Sequence, residues 1–274
     1  MPHRAAALRA RSTPRWLAAL VGLFASLTPA LGQTQEGDPC TGLVSSRRLP
    51  IIPAALGPGE VGLTFVGHAT FLIESPGGVK IATDYNDYVR PRATPDVVTM
   101  NHAHSTHFTT HPDPAIAHVL RGWDPSGGPA RHNLAVGDVI IRNVPTNIRD
   151  WGGGTERDGN SIFVFETAGL CVAHLGHLHH TLLPGHLKML GRIDVLLVPV
   201  DGGYTLDTDG MLEVIGQINA PLMIPMHYFG PSTLNRFISR VREKYPVEFS
   251  RSSSITASRE SLPTSPKMLV LPEQ

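Results

Sequence analysis

Two uninterrupted apolar runs constrain the fold of this chain more than any other sequence feature. They are DVLLVPV at 194–200 and PLMIPM at 221–226. A short apolar run without polar alternation is typical of a strand that is covered on both faces. The chain is therefore predicted to contain a sheet that lies between other layers of structure.

The order of predicted elements changes along the chain. Strands and turns come first, with strands predicted at Val61–Phe65, Thr70–Glu74, Val79–Thr83, Asp96–Met100, Asp138–Val144, Ser161–Glu166 and Leu170–Ala173. The two apolar strands then alternate with helices predicted at Leu182–Leu190, Asp209–Ile218 and Ser232–Tyr245. This order predicts sheets covered by helices, in one domain without internal repeats.

The first 32 residues have the pattern of a secretory signal peptide. Four arginines precede the short apolar run Trp16–Leu27, and Ala30-Leu31-Gly32 resembles a cleavage site before Gln33. No arginine pair precedes the apolar run, which favours a Sec-type route, and an uncleaved amphipathic anchor is the alternative. We therefore predict a signal peptide at 1–32, an extended leader at 33–60 and a folded domain at 61–274, in a periplasmic or secreted protein.

Charge and length exclude several classes of partner. Lys plus Arg and Asp plus Glu both number 23, so the net charge is zero, which argues against nucleic-acid binding and electrostatic membrane adhesion. Outside the signal pattern no segment is apolar enough to cross a bilayer, so no stable membrane insertion is expected after cleavage. Cys40 and Cys171 lack CxxC spacing, and an exported protein can leave them free or joined in a disulfide. Oligomeric state is left open.

Three groups of histidines follow predicted strands. They are His102, His104 and His107; His174 and His177, with His179 and His180 close behind; and His227. Loops after strand ends are where scaffolds present functional groups, and residues at i and i+2 of an extended segment point to one side. Neutral imidazole is the commonest metal ligand, and zinc accepts three with water in the fourth position. Single histidines are usually structural, but three such groups predict a metal site.

Motifs in this order resemble the metallo-β-lactamase superfamily, and more narrowly the branch of L-ascorbate-6-phosphate lactonase and relatives of N-acyl-phosphatidylethanolamine phospholipase D. The resemblance covers about 61–271 and is carried by Leu63–Glu74, Ile81–Asp84, His102–His107, Asn160–Val164, Ala173–Gly176 and Ile224–Tyr228. It implies an α/β (α+β) fold, a four-layer αββα sandwich with the site at one edge of its two sheets.

The resemblance also implies roles for individual residues. His102, His104 and His174 would hold a first metal ion, and His107 and His227 would contribute to a second. Asp84 would orient the ligands or simply cap its strand. Substrate contacts are expected from His68, Tyr228 and Asn160, where His68 is otherwise a turn residue.

Two positions depart from the family pattern. Thr106 stands where the family has an Asp of its HxHxDH motif, and His177 stands where it has a bridging Asp. Thr106 is a poor ligand but can still support a neighbouring ligand. Two divalent ions repel strongly without carboxylates between them, so the second ion should bind weakly, lie further away or be absent. His177 can complete a second three-histidine site, and Asp201 is a candidate replacement carboxylate with a catalytic role, or a plain turn residue.

Three hypotheses for the function remain open. The first is an exported zinc hydrolase with one or two ions (another divalent metal is an alternative), in which metal-bound water attacks a small anionic ester, lactone or phosphoester. The second is a metal-binding protein that has lost hydrolysis and serves binding or sensing. The third is a redox enzyme with iron or manganese, which carboxylate-poor ligation disfavours. Segments 122–132 and 146–158 are expected to form the lid and pocket, and they contain no recognisable code for a substrate.

Overall fold

We describe the protein from a computed structural model covering residues 55–150 and 152–274. The predicted signal peptide, Cys40 and the leader up to residue 54 lie outside the described residues. The strand that follows the leader begins at Glu60, one residue before the predicted domain boundary.

The described residues form two β-sheets. The six-stranded sheet has the order β13 (Ser254–Ser258), β1 (Glu60–Gly67), β2 (Thr70–Glu74), β3 (Lys80–Ala82), β4 (Val97–Met100) and β5 (His118–Arg121). The eight-stranded sheet has the order β12 (Val247–Phe249), β14 (Lys267–Val270), β11 (Leu222–Met226), β10 (Val195–Pro199), β9 (Leu170–His174), β8 (Thr155–Thr167), β7 (Val139–Arg149) and β6 (Asn133–Val136). Strands β3, β4 and β5 are parallel to one another, as are β9, β10, β11 and β14.

The core lies on both faces of the eight-stranded sheet. Phe163 and Phe165 of β8 point toward the six-stranded sheet and join the cluster that contains Phe71 of β2. Their neighbours Ile162 and Val164 face the opposite side and contact the helical layer. Successive residues of a strand point to opposite faces of the sheet, which is why neighbours in β8 join different clusters. Because both faces of this sheet are covered, its strands are continuous apolar runs in the sequence.

Three helices cover the outer face of the eight-stranded sheet. They are α1 (Pro184–Leu190), α2 (Thr208–Ile218) and α3 (Pro231–Val241), and their buried residues belong to the same cluster as the outer face of β10. The outer face of the six-stranded sheet contacts Phe108, Ile116 and Trp123 from loops. The mixed α/β fold with two stacked sheets is confirmed, but in the described part of the chain loops occupy the place of the expected second helical layer.

The predicted elements agree with the structure at their centres and differ at their ends. The first helix begins at Pro184 rather than Leu182, because proline is favoured in the first turn. The third ends at Val241, and a turn occupies 242–245. Strands β5, β6, β12, β13 and β14 have only three to five residues each and were missed. Segment 146–158 is mostly not a loop, since β7 and β8 extend into it as a ribbon.

The longest helices of the described residues have 11 residues, and none is long and apolar enough to cross a membrane.

Candidate metal centre

The histidines converge where strands of both sheets end. Asp84 follows β3, His102 to His107 follow β4, His177 follows β9, and His227 follows β11. His102, His104, His177 and His227 border a cavity of ≈ 620 Å³. Its lining residues are His102, Ala103, His104, Thr106, Ile148, Arg149, Asp150, Glu156, His177, His179, Gly203, Tyr204, His227 and Phe229. Parallel neighbours place their carboxyl ends at one sheet edge, which is why segments distant in sequence meet here.

His107 is fixed by a buried carboxylate. Its Nδ1 atom lies 2.6 Å from Oδ2 of Asp84, and both side chains are fully buried. The other oxygen of Asp84 accepts the backbone N–H of Asn101 at 3.0 Å. An ionised Asp84 requires His107 to donate from Nδ1, which leaves a lone pair on Nε2. This is the carboxylate–histidine arrangement that orients metal ligands, the role that the family resemblance implies for Asp84.

His227 also lies beside a buried carboxylate, that of Asp201. Its Nδ1 atom lies 3.0 Å from Oδ1 of Asp201. Asp201 also accepts hydrogen bonds from the backbone N–H of Gly203 and Tyr204 and from the Thr205 hydroxyl. Both oxygens of the Asp201 carboxylate therefore have partners already, in the turn after β10 and in the neighbouring His227 ring. The prediction of a catalytic Asp201 does not fit this arrangement, because no oxygen remains free toward the cavity.

Three ring nitrogens meet around His107. Its Nε2 atom lies 3.1 Å from Nε2 of His227 and 2.7 Å from Nδ1 of His177. The Asp84 carboxylate holds the proton of His107 on Nδ1, and the Asp201 carboxylate 3.0 Å from Nδ1 of His227 favours the same tautomer there, so the two Nε2 atoms present lone pairs to each other. Two facing lone pairs repel unless a proton or a cation lies between them, so the donor set fits a divalent cation.

His68 belongs to this group rather than to a separate substrate contact. One ring nitrogen each from His68, His107 and His227 lie within 4.8 Å of one another. The His68 ring lies 4.3 Å from that of His227, and its Nε2 atom is buried without a hydrogen-bond partner among the described residues. The structure therefore places His68 as a candidate ligand.

His102 and His104 form a second part of the site. Their rings are parallel, with centroids 6.3 Å apart, and both line the cavity. The Nδ1 atom of His102 donates to the carbonyl of Gly159 at 2.7 Å, which leaves Nε2 as a free acceptor. The Nδ1 atom of His104 lies 3.1 Å from the hydroxyl of Thr106.

His174 does not join His102 and His104, in contrast to the prediction. It is fully buried, and its Nε2 atom donates to the carbonyl of Ala69 at 2.7 Å. Its Nδ1 atom accepts the backbone N–H of Gly176 at 3.1 Å. A neutral imidazole has one donor and one acceptor nitrogen, and both are used. His174 therefore ties β9 to the turn after β1, and the first predicted metal site lacks its third ligand.

Asn160 and Tyr228 also have other roles than predicted. Asn160 is fully buried and accepts the backbone N–H of His177 at 2.9 Å, so it positions that histidine. A Cβ atom at Gly176, which has φ +62, would collide with Asn160, so this turn requires glycine. Tyr228 packs against Phe65 and lines a neighbouring cavity instead.

Several polar and apolar residues of this cavity were missed as site residues by the sequence reasoning. Ile148, Asp150 and Glu156 are on or beside the β7–β8 ribbon, inside a segment predicted as a pocket without further detail. His179 was noticed only as a neighbour of His177. The other predicted pocket segment, 122–132, contributes nothing to this cavity, and its residues 129–132 line a separate cavity of ≈ 490 Å³. His179 lies two residues past His177, and no periodic pattern in the sequence distinguishes that position.

Burial determines the charge states in the site. It lowers the pKa of His68 to about 3 and of His179 to about 4, and it also holds the pKa values of His107 and His177 below the usual range of histidine. Burial raises the pKa of Asp84 to about 6. It acts on Asp201 in the same direction, but hydrogen bonds from His227 and Thr205 hold that pKa well below its usual range. At neutral pH the site therefore combines neutral imidazoles with two carboxylates, whose charge offsets that of one divalent ion.

The backbone is strained at this centre. His68, Asp84 and His227 have φ values of 50, 44 and 55, a region that residues other than glycine rarely adopt. The backbone N–H of His227 donates to the carbonyl of His68 at 2.6 Å, which locks the two turns together. Such strain persists only where surrounding contacts impose it, and it is concentrated at functional sites.

Comparison with known proteins assigns the chain to a family. A family model described as a Beta-lactamase superfamily domain matches residues 62–227. UPF0173 metal-dependent hydrolases of Methanosphaerula palustris and Methanoregula boonei are each 28% identical to this chain, covering 61% of it and 83% and 81% of their own lengths. The predicted superfamily is confirmed, and the relatives are named hydrolases, in line with the prediction of an enzyme. The narrower branch receives no support from these matches.

A solved structure shows the same fold. The Thermotoga maritima protein, whose name describes a candidate Zn-dependent hydrolase of the metallo-beta-lactamase superfamily, is 31% identical with a TM-score of 0.58. The match covers 78% of this chain and 100% of that chain. A candidate metal-dependent hydrolase from Parabacteroides distasonis, at 14% identity and a TM-score of 0.56, supports the fold alone.

Proposed function

We propose, from the premise that this chain belongs to the metallo-β-lactamase superfamily, that it is a metal-dependent hydrolase. The observation that carries the proposal is the meeting of ring nitrogens at His107, with Nε2 of His227 at 3.1 Å and Nδ1 of His177 at 2.7 Å. The names of its relatives, which are metal-dependent hydrolases, support the same activity.

Four histidines are proposed to hold the ion. One ring nitrogen each of His68, His107 and His227 lies within 4.8 Å of the others, and His177 adds a fourth nitrogen, 2.7 Å from Nε2 of His107. We propose zinc, because an all-imidazole set suits zinc better than magnesium, calcium or manganese. A bound zinc ion supplies Lewis acidity to a carbonyl or phosphoryl oxygen and to water.

The protein residues orient this chemistry. Asp84 and Asp201 hold His107 and His227 with their Nε2 atoms toward the centre. His102, anchored by Gly159, presents a free Nε2 acceptor on the wall of the cavity. This atom can hold a second, weaker ion or accept a proton from water, and its rigid anchor keeps it in place for either task.

The cavity supports a small substrate with polar and apolar parts. Its volume of ≈ 620 Å³ is within the usual range for small-molecule sites. Arg149 supplies positive charge at the wall, whereas Tyr204 and Phe229 form an exposed aromatic pair at 5.4 Å on one side. We propose an anionic ester, lactone or phosphoester as the substrate, the chemistry expected from the resemblance to the lactonase and phospholipase D branch. The net charge of the chain is zero, so we propose no nucleic-acid partner.

A second candidate function is metal binding without hydrolysis. Thr106 and His177 replace two carboxylates of the family pattern, and the Thr106 hydroxyl lies 3.1 Å from Nδ1 of His104. Threonine cannot take a proton from water at neutral pH. This function predicts a tightly bound ion with no turnover, as in a binding or sensing protein.

Metal analysis tests the proposal. The protein is purified from zinc-supplemented medium, and zinc per chain is measured by elemental mass spectrometry in wild type, His107→Ala and His111→Ala. His111 is an exposed histidine close to the same loop and serves as the matched control. We expect about one zinc in wild type and His111→Ala, lost in His107→Ala.

Turnover is then measured with lactones and with p-nitrophenyl phosphate. Zinc with turnover supports the hydrolase, and zinc without turnover on a broad ester panel supports the binding protein. A wild-type protein that retains no metal would contradict both.

We also propose export by a Sec-type signal peptide. The support is the arginine-rich segment, the apolar run at 16–27 and the small residues before Gln33. Mass spectrometry of the protein from an expressing bacterium tests it. A periplasmic or secreted form that begins at Gln33 is expected, and an intact form retained in the membrane would indicate the uncleaved anchor instead.

A further inference from the structure

We infer that His179 is a substrate-binding residue that donates a hydrogen bond from Nε2 to an oxygen of the ester or phosphoester group. The inference rests on the proposed function and adds a residue to that site. His179 therefore has a different task from its neighbour His177, although both belong to the same short loop after β9.

A backbone contact fixes the tautomer of His179. The backbone N–H of Arg149 donates to Nδ1 of His179 at 2.7 Å. Since Nδ1 accepts this hydrogen bond, it carries no proton, and the neutral ring must carry its proton on Nε2. A protonated Nε2 is a donor and has no lone pair for a metal. The geometry thus excludes His179 from the ligand set and makes it a hydrogen-bond donor.

The donor is at the cavity and is not otherwise used. His179 lines the same cavity as His102 and His177, and its ring lies 4.7 Å from that of His177. Its Nε2 atom is buried and has no hydrogen-bond partner within residues 55–150 and 152–274. A buried N–H without a partner costs free energy, so an oxygen atom supplied by a ligand would satisfy it.

Arg149 makes this donor rigid. Its backbone N–H fixes the His179 ring, and its guanidinium group donates to the carbonyls of Gly203 and Thr205 at 3.2 and 2.8 Å. One residue thus ties the β7–β8 ribbon to both the His179 loop and the turn that contains Asp201. A donor held in advance needs no reorganisation when an oxygen with developing negative charge meets it.

His180 provides a matched comparison. It is adjacent in sequence, and its Nε2 atom also has no hydrogen-bond partner in the described part of the chain. His180 lines a different cavity, together with Thr146 and Leu183. Comparing variants of His179 and His180 therefore separates the effect of losing a histidine at the metal-centre cavity from the general effect of replacing a histidine in this loop.

The test uses an asparagine substitution. In His179→Asn the side-chain oxygen can take the place of Nδ1 and accept the Arg149 N–H, whereas the donor at Nε2 is lost. Inorganic phosphate is the probe, and its binding to zinc-loaded protein is measured by calorimetry. We expect about 10- to 100-fold weaker binding for His179→Asn, the usual effect of one hydrogen bond to a charged group, and an unchanged affinity for His180→Asn.

Two further measurements separate this inference from the proposed function. Nitrogen NMR of the histidine rings should show the Nε2–H tautomer for His179, with or without zinc, and His179→Asn should retain the zinc content of wild type. The Nδ1–H tautomer, loss of zinc, or equal phosphate affinity in His179→Asn and wild type would overturn the inference. Failure of zinc-loaded wild type to bind phosphate would overturn it as well. Absence of zinc from wild type would instead contradict the proposed function.

Discussion

The Nδ1 atom of His107 lies 2.6 Å from Oδ2 of Asp84, in a contact that joins the end of β3 to the loop after β4. Neither side chain is accessible to solvent. A buried carboxylate of this kind is stable only with strong partners, and here His107 and the Asn101 N–H supply them. The contact directs Nε2 of His107 toward His177 and His227, and thus determines the geometry of the whole centre.

Removing the charge of Asp84 should weaken metal binding. In Asp84→Asn the amide cannot hold the Nδ1 proton of His107 as a carboxylate does, so we expect zinc affinity to fall about 10- to 100-fold. Competition with a chromogenic chelator measures the affinity. Asp124→Asn, at an exposed turn where the carboxylate contacts Ser126, is the control and should retain wild-type affinity. Equal affinities in the two variants would contradict the role of Asp84.

Replacing His174 should reduce stability and leave the metal in place. In His174→Asn the donor to the Ala69 carbonyl is lost, which leaves a buried acceptor unpaired, so the free energy of unfolding should fall by about 1–3 kcal/mol. Urea denaturation and zinc analysis of the folded variant check the two effects. Zinc loss from a variant with wild-type stability would instead mean that His174 is a ligand, as the sequence pattern suggested.

Restoring a carboxylate at position 106 should strengthen binding of a second ion. In Thr106→Asp a negative charge is placed beside His104, where it can offset the repulsion between two divalent ions, so we expect about 10- to 100-fold tighter binding of that ion. Thr106→Asn has nearly the same shape without the charge. Calorimetric titration with zinc should distinguish them, and identical curves would show that charge does not limit the second ion.

The core between the sheets should be sensitive to truncation at Phe163. This side chain is fully buried, and Phe163→Ala should lower the free energy of unfolding by about 3–5 kcal/mol. Ile140 is 45% exposed on the adjacent β7, so Ile140→Ala should change stability by less than about 1 kcal/mol. Chemical denaturation of both variants tests whether Phe163 lies in the core and Ile140 at the surface. Similar losses of unfolding free energy in the two variants would contradict this assignment.

Local sequence patterns determined most of the secondary structure. The runs at 194–200 and 221–226 became β10 and β11 because a strand between two layers tolerates apolar residues on both faces. The loop histidines after β4, β9 and β11 were also identifiable, since their position after buried strands is visible in the chain itself. Strands such as β12 and β13 were missed because partly exposed edge strands carry little apolar signal.

The tertiary structure alone decided what each histidine does. His102, His174 and His179 are the same residue type at or just after strand ends, yet their ring nitrogens differ in partner: a carbonyl for His102, a carbonyl and an N–H for His174, and an N–H for His179. These partners come from residues 30 to 105 positions away along the chain, except for the nearby Gly176. An imidazole is a donor at one nitrogen and an acceptor at the other, so its role depends on contacts that sequence spacing does not encode. The sequence thus determined that a histidine-rich centre lies at the strand ends, and folding determined which of its rings can face a metal ion.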